Sequence, residues 1–149
     1  MKLLSCSVLL LSCLGVASQA QTAAPADVAS AAAREPGAVV TSTGLVYRSL
    51  KEGDGPSPAR GDTVRVHYRG TFPDGREFDS SYARNKPAEF PLDRVIPCWT
   101  EGLQRMKVGG KARLTCPASI AYGERGAGGV IPPNATLQFQ VELLGISGR

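Results

Sequence analysis

Residues 97–116 read Pro97-Cys98-Trp99-Thr100-Glu101-Gly102-Leu103-Gln104-Arg105-Met106-Lys107-Val108-Gly109-Gly110-Lys111-Ala112-Arg113-Leu114-Thr115-Cys116. The hydrophobic period changes inside this stretch. Trp99, Leu103 and Met106 recur at i, i+4 and i+7, with Thr100, Glu101, Gln104 and Arg105 on the other side. That is a helix with one apolar stripe. Pro97 suits its first turn, and Gly109-Gly110 ends it. From Lys111 the period is two: Ala112, Leu114 and Cys116 alternate with Lys111, Arg113 and Thr115, as in a half-buried strand. A helix of about ten residues is marginal alone and needs a sheet to cover its stripe.

The sheet is legible on both sides of that stretch. Thr63–Thr71 alternates Val64, Val66 and Tyr68 against Arg65, His67 and Arg69, and Pro73-Asp74-Gly75 then turns the chain. Leu137, Phe139, Val141 and Leu143 alternate with Gln138, Gln140 and Glu142 in the longest strand, and Leu45–Leu50 is a further strand ahead of a Gly/Pro break. The expectation is an α+β fold: an antiparallel sheet of about five strands wrapped around one short helix.

The chain has 149 residues, enough for one ordinary domain after a leader. Lys2, the apolar run Leu3–Val16 and the small-x-small triplet Ser18-Gln19-Ala20 read as a secretory signal peptide, Met1–Ala20, cleaved before Gln21. The rival is a lipoprotein signal with Cys13 lipidated, the one route by which this reading touches a membrane. Residues 21–42 are Ala-rich with Pro25 and Pro36 and read as a tether with a short helical turn near Asp27–Arg34. The folded domain then runs over 43–149. Export places the protein in the periplasm or outside the cell, and the expected state is a monomer.

The formal charge of +4 falls to +3 when Lys2 leaves with the signal. The basic residues are scattered without interleaved aromatics, so nucleic acid binding has no support. His67 is the single histidine and falls on the polar side of its strand, away from Tyr68. That supports neither a Ser/Cys–His nucleophile pair nor a zinc set. Gly110-Lys111 has Arg105 where a phosphate-binding loop needs its first glycine. Neither cofactor nor metal is expected. Beyond the signal only Cys98 and Cys116 remain. In an exported chain an even pair invites a disulfide, and the alternative is two thiols packed as small hydrophobes.

Three further blocks carry a resemblance. They are Val66-His67-Tyr68-Arg69-Gly70 with Phe78-Asp79-Ser80-Ser81, then Val95-Ile96-Pro97 before Trp99, and Tyr122-Gly123-Glu124-Arg125-Gly126-Ala127-Gly128-Gly129-Val130-Ile131-Pro132-Pro133. In this order they resemble the FKBP-type peptidyl-prolyl isomerases from about Thr41 to the C-terminus. The resemblance implies the same architecture, with a dry aromatic pocket between helix and sheet, and X–Pro rotation in exported proteins as the activity. Trp99 would form the floor, with Tyr68, Phe78, Val95, Ile96 and Phe139 as walls and Phe90 beneath Phe78. The Ile96 N–H and the Tyr122 hydroxyl would be donors. Asp79, paired with Arg84, would set the field near the substrate carbonyl, and Val130 and Ile131 would close a flap. Burial in any such core accounts for Trp99, Phe90 and Phe139 equally well. A non-catalytic peptide-binding or chaperone module using the same cleft is the alternative. Partners would be unfolded proline-containing polypeptides and macrolide inhibitors. Ala88, where many relatives carry an aromatic, thins one wall against the latter.

Overall fold

In the computed structural model, residues 25–147 are described. The expected signal, its rival lipidation site at Cys13, and residues 21–24 and 148–149 lie outside them. The described elements are helix α1 (Pro25–Ala33), strands β1 (Ala38–Val40), β2 (Val46–Lys51), β3 (Thr63–Thr71), β4 (Glu77–Ser80) and β5 (Ala88–Pro91), helix α2 (Pro97–Gln104), and strands β6 (Lys111–Cys116) and β7 (Leu137–Ser147). Antiparallel pairing gives the order β1-β2-β6-β7-β3-β4, with β5 also on β3. The architecture is the expected α+β sheet over a short helix, with seven strands rather than about five.

Three of the seven are strands that periodicity cannot reveal. Strands β1, β4 and β5 have three or four residues each, too few for an alternation to repeat. The first lies inside the span expected to be a tether. Over Pro25–Val40 that expectation gives way: Ala32 is buried, and β1 pairs β2 from Ala38↔Arg48 to Val40↔Val46. Glu35 anchors the segment by accepting a hydrogen bond from Arg48 Nη1 at 2.6 Å.

Strand β3 is the spine. One edge pairs β7 along its whole length, while the other is shared in sequence by β5 at Thr63–Val66 and β4 at Arg69–Thr71. At the fork between them neither strand supplies ladder bonds. Ser81 does so instead: its Oγ accepts from Tyr68 N–H at 2.8 Å, and its own N–H donates to Tyr68 O at 3.0 Å. The same Oγ lies 2.9 Å from His67 Nδ1, so a Ser–His contact does exist, but Ser81 is fully buried and serves the backbone.

Helix α2 lies on the concave face through Trp99, Leu103 and, just past its end, Met106, all buried against Leu114, Val141 and the rest of the core. Gly102 allows the close approach, because a Cβ there would sit 2.8 Å from a Leu114 methyl carbon. Cys98 and Cys116 form a disulfide that ties the first turn of α2 to the end of β6.

Candidate functional site

Between α2 and the sheet opens a cavity of about 300 Å³. Trp99 sits at its base, held edge-on by three rings: Tyr68 at 5.1 Å, Phe139 at 5.4 Å and Phe90 at 5.5 Å between centroids. Interplanar angles of 82° to 90° give the edge-to-face geometry that aromatic pairs prefer. Phe78 extends the wall by standing edge-on to Phe139 at 5.6 Å. Phe90 is therefore not beneath Phe78; its rings in contact are Tyr68 and Trp99. The reason is register: Phe90 pairs with Val64 at the far end of β3, while Phe78 lies beside Gly70 and Phe139. Trp99 Nε1–H is buried with no partner among the described residues.

Val95 and Ile96 line the same cavity where the chain enters α2. Ile96 is the N-cap residue; its carbonyl accepts from Trp99 N–H at 2.9 Å and Thr100 N–H at 3.2 Å. Its own N–H has no partner among the described residues. Pro97, which carries no N–H, follows it, so Ile96 is the last free donor before the helix.

The polar side of the cavity is a tight triad. Tyr68 donates its hydroxyl to Asp79 Oδ2. Arg84 donates through Nη1 to Asp79 Oδ1 at 2.6 Å and through Nη2 to the Tyr68 oxygen at 2.9 Å. The Ser80 N–H adds a bond to Oδ1 at 2.9 Å. Burial pushes the Asp79 carboxyl up, but these hydrogen bonds and the Arg84 charge outweigh it and hold the group below its usual range. Burial, and then the nearby Asp79 charge, push the Tyr122 phenol up, so it stays an O–H donor at neutral pH. Tyr122 lines the cavity while remaining 40 % exposed.

Two expected flap residues are elsewhere. Ile131 is buried in the core and exchanges backbone bonds with Ala127, whereas Val130 is 56 % exposed at the loop surface. Neither lines the cavity. The flap closes on itself through the Ala127–Ile131 bridge, which turns Ile131 inward and leaves Val130 outside.

A family profile described as FKBP-type peptidyl-prolyl cis-trans isomerase matches residues 55–144. The chain belongs to this family. It is 54 % identical over 114 residues to the FKBP-type isomerase FkpA of Escherichia coli (strain K12), which covers 76 % of this chain and 42 % of the relative. It is 52 % identical over 104 residues to the peptidyl-prolyl cis-trans isomerase FKBP1A of Xenopus laevis, covering 68 % of this chain and 96 % of that one. The crystal structure of FkpA from Escherichia coli superposes with a TM-score of 0.80 at 49 % identity, over 82 % of this chain and 57 % of that one. The chain thus spans less than half the length of the curated FkpA protein it matches.

Within this FKBP-type domain, sequence reasoning missed three contributors. Arg94 lines the cavity beside Val95, with no period to mark it. Ser81 positions Tyr68 at the fork of β3. Gly70 lets the Phe78 and Phe139 rings settle on β3, since a Cβ there would lie 2.5 Å from Phe78 and 3.0 Å from Phe139. A glycine inside an otherwise clean strand pattern was the available signal for that third one.

A second, larger hollow of about 620 Å³ is lined by Arg65, Arg84, Lys86, Pro87, Ala88 and Glu89. No aromatic ring lines it, so it lacks the dry surface that receives a proline ring. Ala88 belongs to this hollow and not to the aromatic cavity.

Proposed function

We propose that this chain is a peptidyl-prolyl cis-trans isomerase acting on X–Pro bonds of exported polypeptides. The observation that carries the reading is the convergence, on one aromatic cavity, of two free donors and one fixed anion: Ile96 N–H, Tyr122 O–H and Asp79. The uncatalysed rotation has a barrier of about 18–20 kcal/mol and takes tens to hundreds of seconds. In the twisted amide, resonance is lost and the carbonyl dipole falls. A low-polarity site therefore destabilises the planar ground state more than the twisted state, and preset donors add differential binding. No nucleophile, metal or cofactor is required.

In this mechanism the proline ring stacks over Trp99, between Tyr68, Phe78 and Phe139. Ile96 N–H holds a carbonyl of the substrate backbone. Tyr122 O–H donates from the open side. Asp79, immobilised by Tyr68 and Arg84, faces the carbon end of the rotating carbonyl. Val130, exposed on the loop and outside the cavity lining, is assigned to the substrate chain rather than to the proline. The disulfide supports an oxidising compartment, hence export through the Met1–Ala20 signal to the periplasm. The small Ala88 and its place outside the cavity favour weak macrolide binding, and the domain acts as a monomer.

A protease-coupled assay with a peptide carrying an apolar residue before proline tests this reading. Acceleration of the cis-to-trans step, unchanged by a chelator, is expected. Absence of acceleration at micromolar protein, together with suppressed aggregation of a proline-free unfolded chain, would establish the binding-module alternative instead.

A further inference from the structure

The polar hollow beside the aromatic cavity is not used by the mechanism above, yet the two meet at Arg84. The Arg84 guanidinium bonds Tyr68 and Asp79 on the cavity side and lines the hollow on the other. Beyond it stand Lys86 and Arg65. Both are exposed, and neither has an ion pair among the described residues. Four other arginines of the described chain, Arg48, Arg69, Arg76 and Arg113, do have carboxylate partners. Glu89 is the single acid in the hollow. It lies opposite Arg65 in the β3–β5 register without closing an ion pair. Two unpaired cations against one acid leave a positive wall.

The hollow also has a shape suited to a chain. Pro87, Ala88 and Glu89 form its rim along β5, and among the described residues β5 pairs only with β3. Its outer edge therefore presents backbone groups without a strand partner. An extended polypeptide can bond such an edge, whereas a small free anion gains nothing from it.

We propose that this hollow is a subsite for the flank of the substrate polypeptide, and that it selects chains with an acidic residue a few positions from the isomerised proline. The Glu or Asp side chain of the substrate meets Lys86 and Arg65 while the proline occupies the Trp99 cavity. This proposal rests on the isomerase reading, because it is the proline that brings the flank past Arg84. Complementary charge at an exposed rim mainly accelerates encounter and discriminates among partners, so its effect belongs in kcat/KM and fades with salt.

The test uses three peptides with one X–Pro core and Glu, Gln or Lys two to four residues from the proline, on either side. They are assayed with the wild-type protein and with Arg65→Glu/Lys86→Glu. For the wild type at low salt, kcat/KM for the Glu peptide should exceed that for the Lys peptide about fivefold, as two exposed charge contacts allow. The order should invert in the double variant and collapse in high salt. The Gln peptide should be turned over equally by both proteins, which shows that the fold and the cavity survive. Equal kcat/KM for the Glu and Lys peptides, or a preference that outlasts the charge reversal, would overturn the subsite. If the wild type turns over none of the three, the isomerase reading falls. Fluorescence titration of the same peptides then decides the subsite alone: tighter Glu-peptide binding that inverts in the double variant supports it, and equal affinities overturn it.

Discussion

Asp79 shows what a single residue is asked to do at this site. Its two oxygens are held by Tyr68, Arg84 and Ser80 N–H, so the charge is fixed in place before substrate arrives. Asp79→Leu removes that charge, and Tyr122→Phe removes a donor while keeping the ring. Each should lower kcat/KM by about tenfold, the worth of one polar contact of about 1–1.5 kcal/mol, with the unfolding midpoint little changed. Full activity of Asp79→Leu on every peptide tried would refute its role. The pH dependence follows from the same contacts. The Asp79 pKa is depressed in the fold, so its charge and the contacts built on it persist above the ordinary carboxylate range and are lost only as pH falls through the depressed value. The Tyr122 phenol is shifted up and keeps its proton well into alkali. A pH–rate profile should be flat from about pH 5 to about pH 9, with loss only below about pH 4. A bell with a limb near neutrality would point to a different group.

At the scale of elements, α2 is the piece on which the site depends. It has only eight residues, carries Trp99 and is entered through its N-cap Ile96, so its placement sets both the floor and one donor of the cavity. Packing of Leu103 on the sheet, the close approach at Gly102 and the Cys98–Cys116 bond all fix it. The bond closes a loop with a sequence separation of 18, which in the chain-entropy account stabilises by about 3 kcal/mol. Reductant, or Cys98→Ala/Cys116→Ala, should lower the melting temperature clearly, and thiol alkylation without reductant should label neither cysteine. Two alkylated cysteines in protein from an oxidising compartment would contradict the bond. This element was legible in the sequence because its period and its proline agree with one another, although the helix stops at Gln104, capped by Arg105, and not at Gly109-Gly110 as expected. The Cys98–Cys116 bond was one of two readings that the sequence left open, the other being two thiols packed on the core face with Leu114 and Ala112. By contrast, β4, β5 and the inward turn of Ile131 depend on contacts made far along the chain. Short runs such as Glu77–Ser80 carry no period, and a flap that bonds to itself looks in sequence like one that closes on a ligand.

For the molecule as a whole, the sheet order separates two duties. Strands β3, β7 and the adjoining β4 and β5 build the cavity, while β1 and β2 lie at the opposite end of the sheet. The Ala-rich segment before Thr43, which reads as a tether from composition, adds a docked helix and edge strand there, because small alanines let α1 lie close and Glu35 finds Arg48. Composition alone misled because a two-residue polar contact and one strand edge supply what large apolar side chains usually do. Removing residues 25–41 from the mature chain should therefore destabilise it by about 1–3 kcal/mol in denaturant unfolding, yet leave kcat/KM within about twofold. A loss of activity out of proportion to stability would mean that the two ends of the sheet are coupled. The central claim is that the Trp99 cavity lowers the barrier of X–Pro rotation itself. Exchange NMR of an X–Pro peptide with substoichiometric protein reads that step directly. The account predicts cis–trans exchange cross-peaks that appear with the wild-type chain and fade with Asp79→Leu/Tyr122→Phe. Broadened peptide resonances without exchange between the two isomers would show binding without catalysis and would contradict it.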